Sequence, residues 1–462
     1  MSTTNLTAPS QPSATPPGPK VSLLKVLFPS KNRNRLESIL KNWGLYGDIV
    51  FSKIGPINNY TLFSPEYVYH VLVTNQKNYV KGPGYNGLSL MIGRGILTSD
   101  GDLWKRQRRL MSPHFTPVAV LDFSTMMART IKHMLEHWEE NAQQKRPINM
   151  DLEMMRLTMS IIGQALFSFD LGQTPTEIGH ALQSAFAFVP TRSLISLVPM
   201  WVPLPAHRQF AKDLKVIDAF LYEKIAEGRL HPERQNFLAT MLKVRDAETG
   251  EGMSDRQLRD EVITLFFAGF ETTARTLTWA WYLLGRHPEI QEKVREEARQ
   301  LLGDGHLPTR EDLEKLTYAR MVVDETLRLY PPTVMVARQN IEEDEIGGYK
   351  IPAKSMVSLS PYIVHRYPKY WPDPERFDPE RFSAENAAGR PKAAYIPFAA
   401  GPRICIGNSF ALMEMVYTLA MTTLRFKLEP TPAEEIPADF RGTIRPAKQL
   451  YMQTSLIERW RT

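Results

Sequence analysis

One cysteine, Cys405, stands in a chain of 462 residues. No intramolecular disulfide can form, so the fold must rest on an apolar core and not on covalent staples. The chain can supply such a core: 43% of its residues are hydrophobic and 23% charged, ordinary proportions for a globular protein. A secreted, disulfide-stapled protein is excluded, and a cytoplasmic location is expected. Length alone allows two or three domains. No linker is visible after Lys20, however, so a single domain over residues 21–462 is expected. Residues 1–20 are rich in Ser, Thr and Pro and read as a disordered tail. They hold no apolar run, so neither a signal peptide nor a membrane anchor is expected there.

A net charge of +6 invites a nucleic-acid reading. Basic and acidic residues alternate along the chain without a long basic tract, and no nucleic-acid partner is expected. No stretch reaches the roughly 18–20 apolar residues a membrane helix needs. The nearest, SLISLVPMWVPLP from Ser193 to Pro205, is broken by three prolines. It reads as an apolar loop or short helices that line an entrance or touch a membrane surface.

The pattern is mainly α with a small β portion. Met127, Ile131, Met134, Leu135 and Trp138 recur on one face of a helix. A longer helix is expected from about Ser254 to Gly285, closed by GRHPE, and another from about Arg310 to Leu329, closed by Pro331-Pro332. EIGGYKIPAKSMVSLS has a Gly-Gly turn between short alternating stretches and predicts small strands. HRYPKYWPDPERFDPERF is punctuated by proline and predicts an irregular, ordered segment.

Cys405 lies in FAAGPRICIG, just ahead of NSFALMEMVYTLAMTTLRF, an amphipathic pattern with Phe410, Met413, Val416, Tyr417 and Leu424 near one face. A lone cysteine is usually a small buried apolar residue. Here it precedes a helix N-terminus, where free N–H groups favour a thiolate. Gly401 and Gly407 leave room for something flat, Pro402 stiffens the loop and Arg403 adds a cation. One cysteine cannot build a closed zinc site. A metal with a single protein ligand needs another scaffold, which a porphyrin provides, and thiolate-ligated haem is the natural reading. A cysteine hydrolase is the rival, but no histidine is visibly placed as its base.

Phe398, Gly401, Arg403, Cys405 and Gly407 match the F-x-x-G-x-R-x-C-x-G signature of the cytochrome P-450 superfamily, and from about Pro17 onward the chain resembles that family. The resemblance implies the family fold, with a long central helix over haem b (iron protoporphyrin IX) and the cysteine loop on the proximal side. Cys405 would be the metal ligand, with Phe398 and Gly407 against the cofactor. In AGFETT, Gly269 alone reads as a weak point costing about 1 kcal/mol relative to alanine. A threonine bonding back to a carbonyl there can open a groove. The resemblance assigns proton handling to Glu271 and Thr272 and places Ala268 beside the haem. It also implies haem-propionate contacts from Trp104, Arg108, Arg338 and Arg403, and a substrate-lining role for Thr333 and Val334.

The pair Glu325 and Arg328 in ETLR is weak as a pattern, since EKVREEAR repeats it twice. By resemblance it joins a later arginine in a network bracing the cysteine loop; spacing favours Arg381, with Arg376 the alternative. Lys105, Arg106 and Arg109 read either as a solvated helix face or as a patch steering an acidic electron donor. No flavin or iron–sulfur domain is visible, so a separate ferredoxin- or flavodoxin-type donor with its reductase is expected, and the enzyme itself is expected to be a monomer.

The expected activity is a monooxygenase inserting one atom of dioxygen into a small apolar substrate. A peroxide-driven relative and a non-catalytic haem sensor are the alternatives; neither has much use for the pair Glu271 and Thr272. Gly82 to Met91 and Ala185 to Pro205 are expected to be variable loops shaping the pocket. Phe186, Phe188, Ile195, Leu197 and Trp201 make the second apolar, which favours fatty acids or terpenoids.

Overall fold

The computed structural model describes residues 15–20, 35–172, 177–195, 198–303, 306–431 and 433–457. Of the expected disordered tail, residues 1–14 lie outside that set. The end of the tail belongs to the folded body: Pro16 is buried, and the Phe51 N–H donates to the Pro17 carbonyl.

Helices dominate. Those that frame the site are α1 (Gly101–Met111), α2 (Ser124–Gln143), α3 (Met150–Phe167), α4 (Glu177–Ile195), α5 (Pro205–Leu230), α6 (Asp255–Arg286), α7 (Pro288–Leu302), α8 (Thr317–Leu329) and α9 (Asn408–Arg425). On α2 the apolar stripe does what its spacing requires: Met127, Ile131, Leu135 and Trp138 are buried. The central helix α6 starts where Ser254 caps it, its hydroxyl accepting from the Gln257 N–H, a contact worth about 1 kcal/mol. It runs unbroken to the His287-Pro288 junction and is buried from Leu258 to Leu284 except at two short gaps, 267–269 and 271–272. Gly269 has a packing reason: a Cβ there would lie 2.9 Å from Ile162 Cδ1 of α3.

Two expectations need correction. The single helix over Arg310–Leu329 is two helices, Arg310–Lys315 and α8, parted at Leu316, which is wholly buried. The break has an outside cause: Glu297 on α7 accepts from Thr317 Oγ1 and from the Tyr318 and Ala319 N–H groups, capping α8 with a carboxylate from another helix. Helix α9 is buried on all sides from Met413 to Thr423, so it is a core helix and not an amphipathic one.

The β portion is small. Five strands pair in the order β1 (Ile49–Ile54), β2 (Ile57–Leu62), β5 (Met356–Leu359), β4 (Val336–Asn340) and β3 (Tyr79–Val80). Only the β2–β5 pair is parallel. Asp344–Ile346 and Tyr349–Ile351 form the expected hairpin around Gly347-Gly348. Near the C-terminus, Ala438–Arg441 pairs with β6 (Thr443–Pro446).

The segment between β5 and α9 is irregular but tied down by charge. Arg328 donates from Nε to Glu325 Oε2 at 2.6 Å and from Nη2 to Oε1 at 2.8 Å, and neither side chain touches solvent. Its remaining N–H groups donate to the carbonyls of His365, Pro374 and Arg376. Arg381 completes the network, with Nε 3.5 Å from Glu325 Oε1. Arg376 contributes only its backbone carbonyl, while its side chain is exposed. From this knot the order passes to the cysteine loop. The Ile396 N–H donates to His365 Nε2 at 2.9 Å, and Trp371 Nε1 donates to the Ala394 carbonyl at 3.1 Å.

Removing one partner of a buried ion pair strands the other, at a cost of about 3–5 kcal/mol. Arg328→Gln is therefore expected to lower stability on that scale in denaturant titration of the full chain, whereas the exposed Arg376→Gln should change it by less than about 0.5 kcal/mol. His365 gives a pH signature. Burial first, then Arg328 and Arg366, press its imidazole down to about 3. The unfolded chain takes up a proton below about pH 6.5 that the folded chain refuses, so stability falls as pH drops through that window. His365→Asn, which keeps an acceptor for Ile396 and cannot titrate, should flatten the fall; an unchanged slope would contradict the assignment.

Candidate active site

The cysteine loop is a set of short-range constraints. Gly401 opens a tight turn over Gly401–Arg403 with φ +72°, and a Cβ there would meet the Leu72 carbonyl oxygen at 2.0 Å. No other residue fits. The Ile404 N–H donates to the Gly401 carbonyl at 3.0 Å and the Cys405 N–H to the Phe398 carbonyl at 2.9 Å, closing the loop on itself. Ala399 sits at φ +60°, a left-handed conformation that costs a non-glycine residue about 1–2 kcal/mol.

The Cys405 side chain is accessible, yet surrounding protein pushes its thiol up; the Gly407 N–H and the Arg108 guanidinium pull it down. The expected thiolate-favouring helix start is present as the Gly407 N–H, but burial outweighs it in the protein alone. A cation bonded to sulfur would reverse that balance.

Three further observations test what group the site fits. Gly407 has φ −90°, which any residue adopts, and an added Cβ would meet no protein atom within 4 Å. Nothing in the chain's own packing asks for glycine there, whereas a flat group against the loop would. Among the described residues no cluster of three His, Cys, Asp or Glu side chains could hold a metal ion, so Cys405 suits a metal that brings its own scaffold.

The third observation is electrostatic. Lys81, Arg338 and Arg403 lie close enough to act on one another, with Asp100 the carboxylate among them. Burial, reinforced by the two guanidiniums, presses the Lys81 ammonium well below its ordinary range. Arg338 is buried and donates only to neutral oxygens, Ala337 O at 2.8 Å and Tyr85 Oη at 3.5 Å. Arg403 pairs with Asp100 and lies 4.2 Å over the Trp104 ring. Three cations around one carboxylate suit a dianionic ligand edge. Trp104, Arg338 and Arg403 are thus brought together as expected, while Arg108 donates to the Ile404 carbonyl at 2.9 Å, beside the thiol. Lys81 was missed; a lysine ahead of Gly-Pro carries no pattern that marks it.

On α6 the two gaps in burial coincide with the AGFETT segment. Thr272 Oγ1 donates to the Ala268 carbonyl at 2.7 Å, the expected back-bond, though the helix stays continuous. Glu271 does not join Thr272. Its Oε1 accepts from Thr443 Oγ1 at 3.0 Å and lies 3.9 Å from Arg275 Nε.

Other site expectations need adjusting. Thr333 is exposed and Val334 has no accessible surface; Met335, Val336 and Ala337 are the half-buried residues of that strand entry. The expected loops are largely helical: Asn86–Ile92 is a helix, and Ala185 to Ile195 is the second half of α4. Phe186 packs on α6, 4.6 Å from Phe267, whereas Phe188 stacks on Phe210 of α5 at 4.4 Å. Leu197 lies outside the described residues. Trp201 is 81% exposed. Arg106 and Arg109 are engaged with Asp246, whose side chain is fully buried, and Lys105 pairs with Asp102, so the trio is no free basic patch. No described helix is long and apolar enough to cross a membrane.

Known proteins share the sequence pattern and the fold of this chain. The family model described as Cytochrome P450 matches residues 16–454. Cyclooctatin synthase of Streptomyces melanosporofaciens is 35% identical over 400 residues, 85% of each chain. Cyclooctat-9-en-7-ol 5-monooxygenase of the same organism is 33% identical, covering 84% of each. The crystal structure of the cytochrome P450DA heme domain superposes with a TM-score of 0.89 at 25% identity, covering 97% of this chain and 99% of that one.

Proposed function

Because the chain belongs to the cytochrome P450 family, we propose that it inserts one atom of dioxygen into an apolar, terpenoid- or fatty-acid-like substrate, with electrons from a separate ferredoxin- or flavodoxin-type protein and its reductase. Membership makes it a haem-dependent monooxygenase, an oxidoreductase. The observation that carries the reading is the pairing of an accessible thiol with a neighbouring cluster of cations: this donor set suits haem b, a soft-liganded metal in a ring with two carboxylates.

Cys405 would hold the iron, and Lys81, Arg338 and Arg403 the propionates, with Trp104 and Arg108 beside them. Phe398 and Gly407 would lie against the ring. When bound, the haem supplies dioxygen activation and oxygen transfer. The chain supplies the rest. Phe186 and Phe267 offer an apolar wall beside Ala268, excluding water and orienting a hydrocarbon. Thr272 holds a hydroxyl proton at Oγ1, currently on the Ala268 carbonyl, and Glu271 is a carboxylate one residue away that can carry a proton inward. The Streptomyces relative named for 5-monooxygenation of cyclooctat-9-en-7-ol supports a largely hydrocarbon substrate.

Thr272→Ala is expected to keep consuming reduced donor while product per electron pair falls about tenfold or more, oxygen appearing as hydrogen peroxide. Unchanged partitioning would favour a peroxide-driven enzyme or a sensor. Spectral titration of the ferric protein with a lipid and terpenoid panel should find binders among apolar compounds; shifts from polar ligands alone would remove the substrate assignment.

A further inference from the structure

Glu271 is held from two sides, and neither is Thr272. Thr443, on β6, donates its hydroxyl to Oε1 at 3.0 Å. Arg275, one turn further along α6, brings Nε to 3.9 Å from the same oxygen. The Arg275 side chain is buried, and its Nη1 donates to Asp151 in the first turn of α3. Its Nε is enclosed without a hydrogen-bond partner. A buried guanidinium requires anions close by, and an enclosed N–H requires an acceptor. Asp151 supplies one anion, at Nη1; Glu271 Oε1 is the carboxylate oxygen beside the unpartnered Nε, and a side-chain shift of about an ångström would close that contact. Helix α6 and β6 thus meet at one carboxylate, and α3 is tied to it through Arg275.

We propose that Arg275 and Thr443 are positioning residues for Glu271: cation and hydroxyl fix the carboxylate in one rotamer, and Asp151 anchors the cation to a neighbouring helix. This rests on the monooxygenase reading, in which Glu271 carries protons towards Thr272. Without the hold the carboxylate samples several rotamers, and an entropy cost falls on each delivery. Productive turnover breaks C–H and O–O bonds: substrate C–H, O2, two electrons from the donor protein and two protons give C–OH and water. Badly placed protons divert the same two electrons and two protons with O2 to hydrogen peroxide. The ratio of peroxide to product therefore reports how well Glu271 is held.

The test uses the haem-loaded full chain with reduced donor, in Thr443→Val, Thr443→Ser, Arg275→Gln and Arg275→Lys, each alone and combined with Glu271→Gln. Thr443→Val and Arg275→Gln are expected to raise the peroxide-to-product ratio about tenfold, the scale for losing a partner that orients a working group. Thr443→Ser and Arg275→Lys should recover most of it. With Glu271→Gln already present, neither loss should add anything. Thermal unfolding midpoints give a readout independent of turnover: shifts from Thr443→Val and Glu271→Gln should be less than additive. Thr443→Val is nearly isosteric, so the test survives if Arg275→Gln does not fold. An effect that persists in the Glu271→Gln background, or additive midpoints, overturns the assignment. Coupled midpoints in a wild-type protein that forms neither product nor peroxide would overturn the monooxygenase reading and leave the contact standing.

Discussion

Two opposite charges without solvent, Glu325 and Arg328, hold in place the segment that leads to the cysteine loop. A buried pair rarely adds net stability against an apolar alternative, because both ions lose their water. What it does here is specify. Arg328 presents a rigid fork of donors, and its N–H groups fasten three carbonyls of a segment that has neither helix nor sheet to satisfy them. His365 lies next in line, its carbonyl on Arg328 and its ring nitrogen on the Ile396 N–H. Two residues later Phe398 receives the Cys405 N–H. The position of the sulfur is thus inherited through a short chain of hydrogen bonds from a charge pair on α8.

The central helix obeys a different rule. Between Leu258 and Leu284 helix α6 is buried, and only at 267–269 and 271–272, in and beside the AGFETT segment, do its side chains regain accessible surface. Gly269 there admits the Ile162 side chain of α3. The polar groups of the segment are satisfied one by one, Thr272 by a carbonyl of the preceding turn and Glu271 by the hydroxyl of Thr443. Order at the cysteine loop comes from charge, and order around α6 from helix packing.

How much of this was legible in the sequence follows the range of the forces involved. Local rules read well: the start of α6 near Ser254, the stripe on α2, the Gly-Gly turn between short strands and the FAAGPRICIG loop all depend on residues within a few positions. Non-local rules did not. Leu316 breaks a helix because Glu297, from another helix, caps its second half, and no pattern near Leu316 announces it. Lys81 joins Arg338 and Arg403 only because β3 and β4 pair, a register set over 250 residues of intervening chain in the fold. The pairing of Arg106 and Arg109 with Asp246, Glu248 and Glu251 is hidden for the same reason. Arg381, by contrast, was chosen over Arg376 by spacing, and the structure agrees.

That Asp246 linkage has a mechanical consequence. Arg106 also donates to the Gly252 carbonyl and to Gln257, at the threshold of α6. Helix α1 is therefore stitched to the turn that launches the central helix. Any displacement of α1 relative to that turn would have to break these contacts of Arg106.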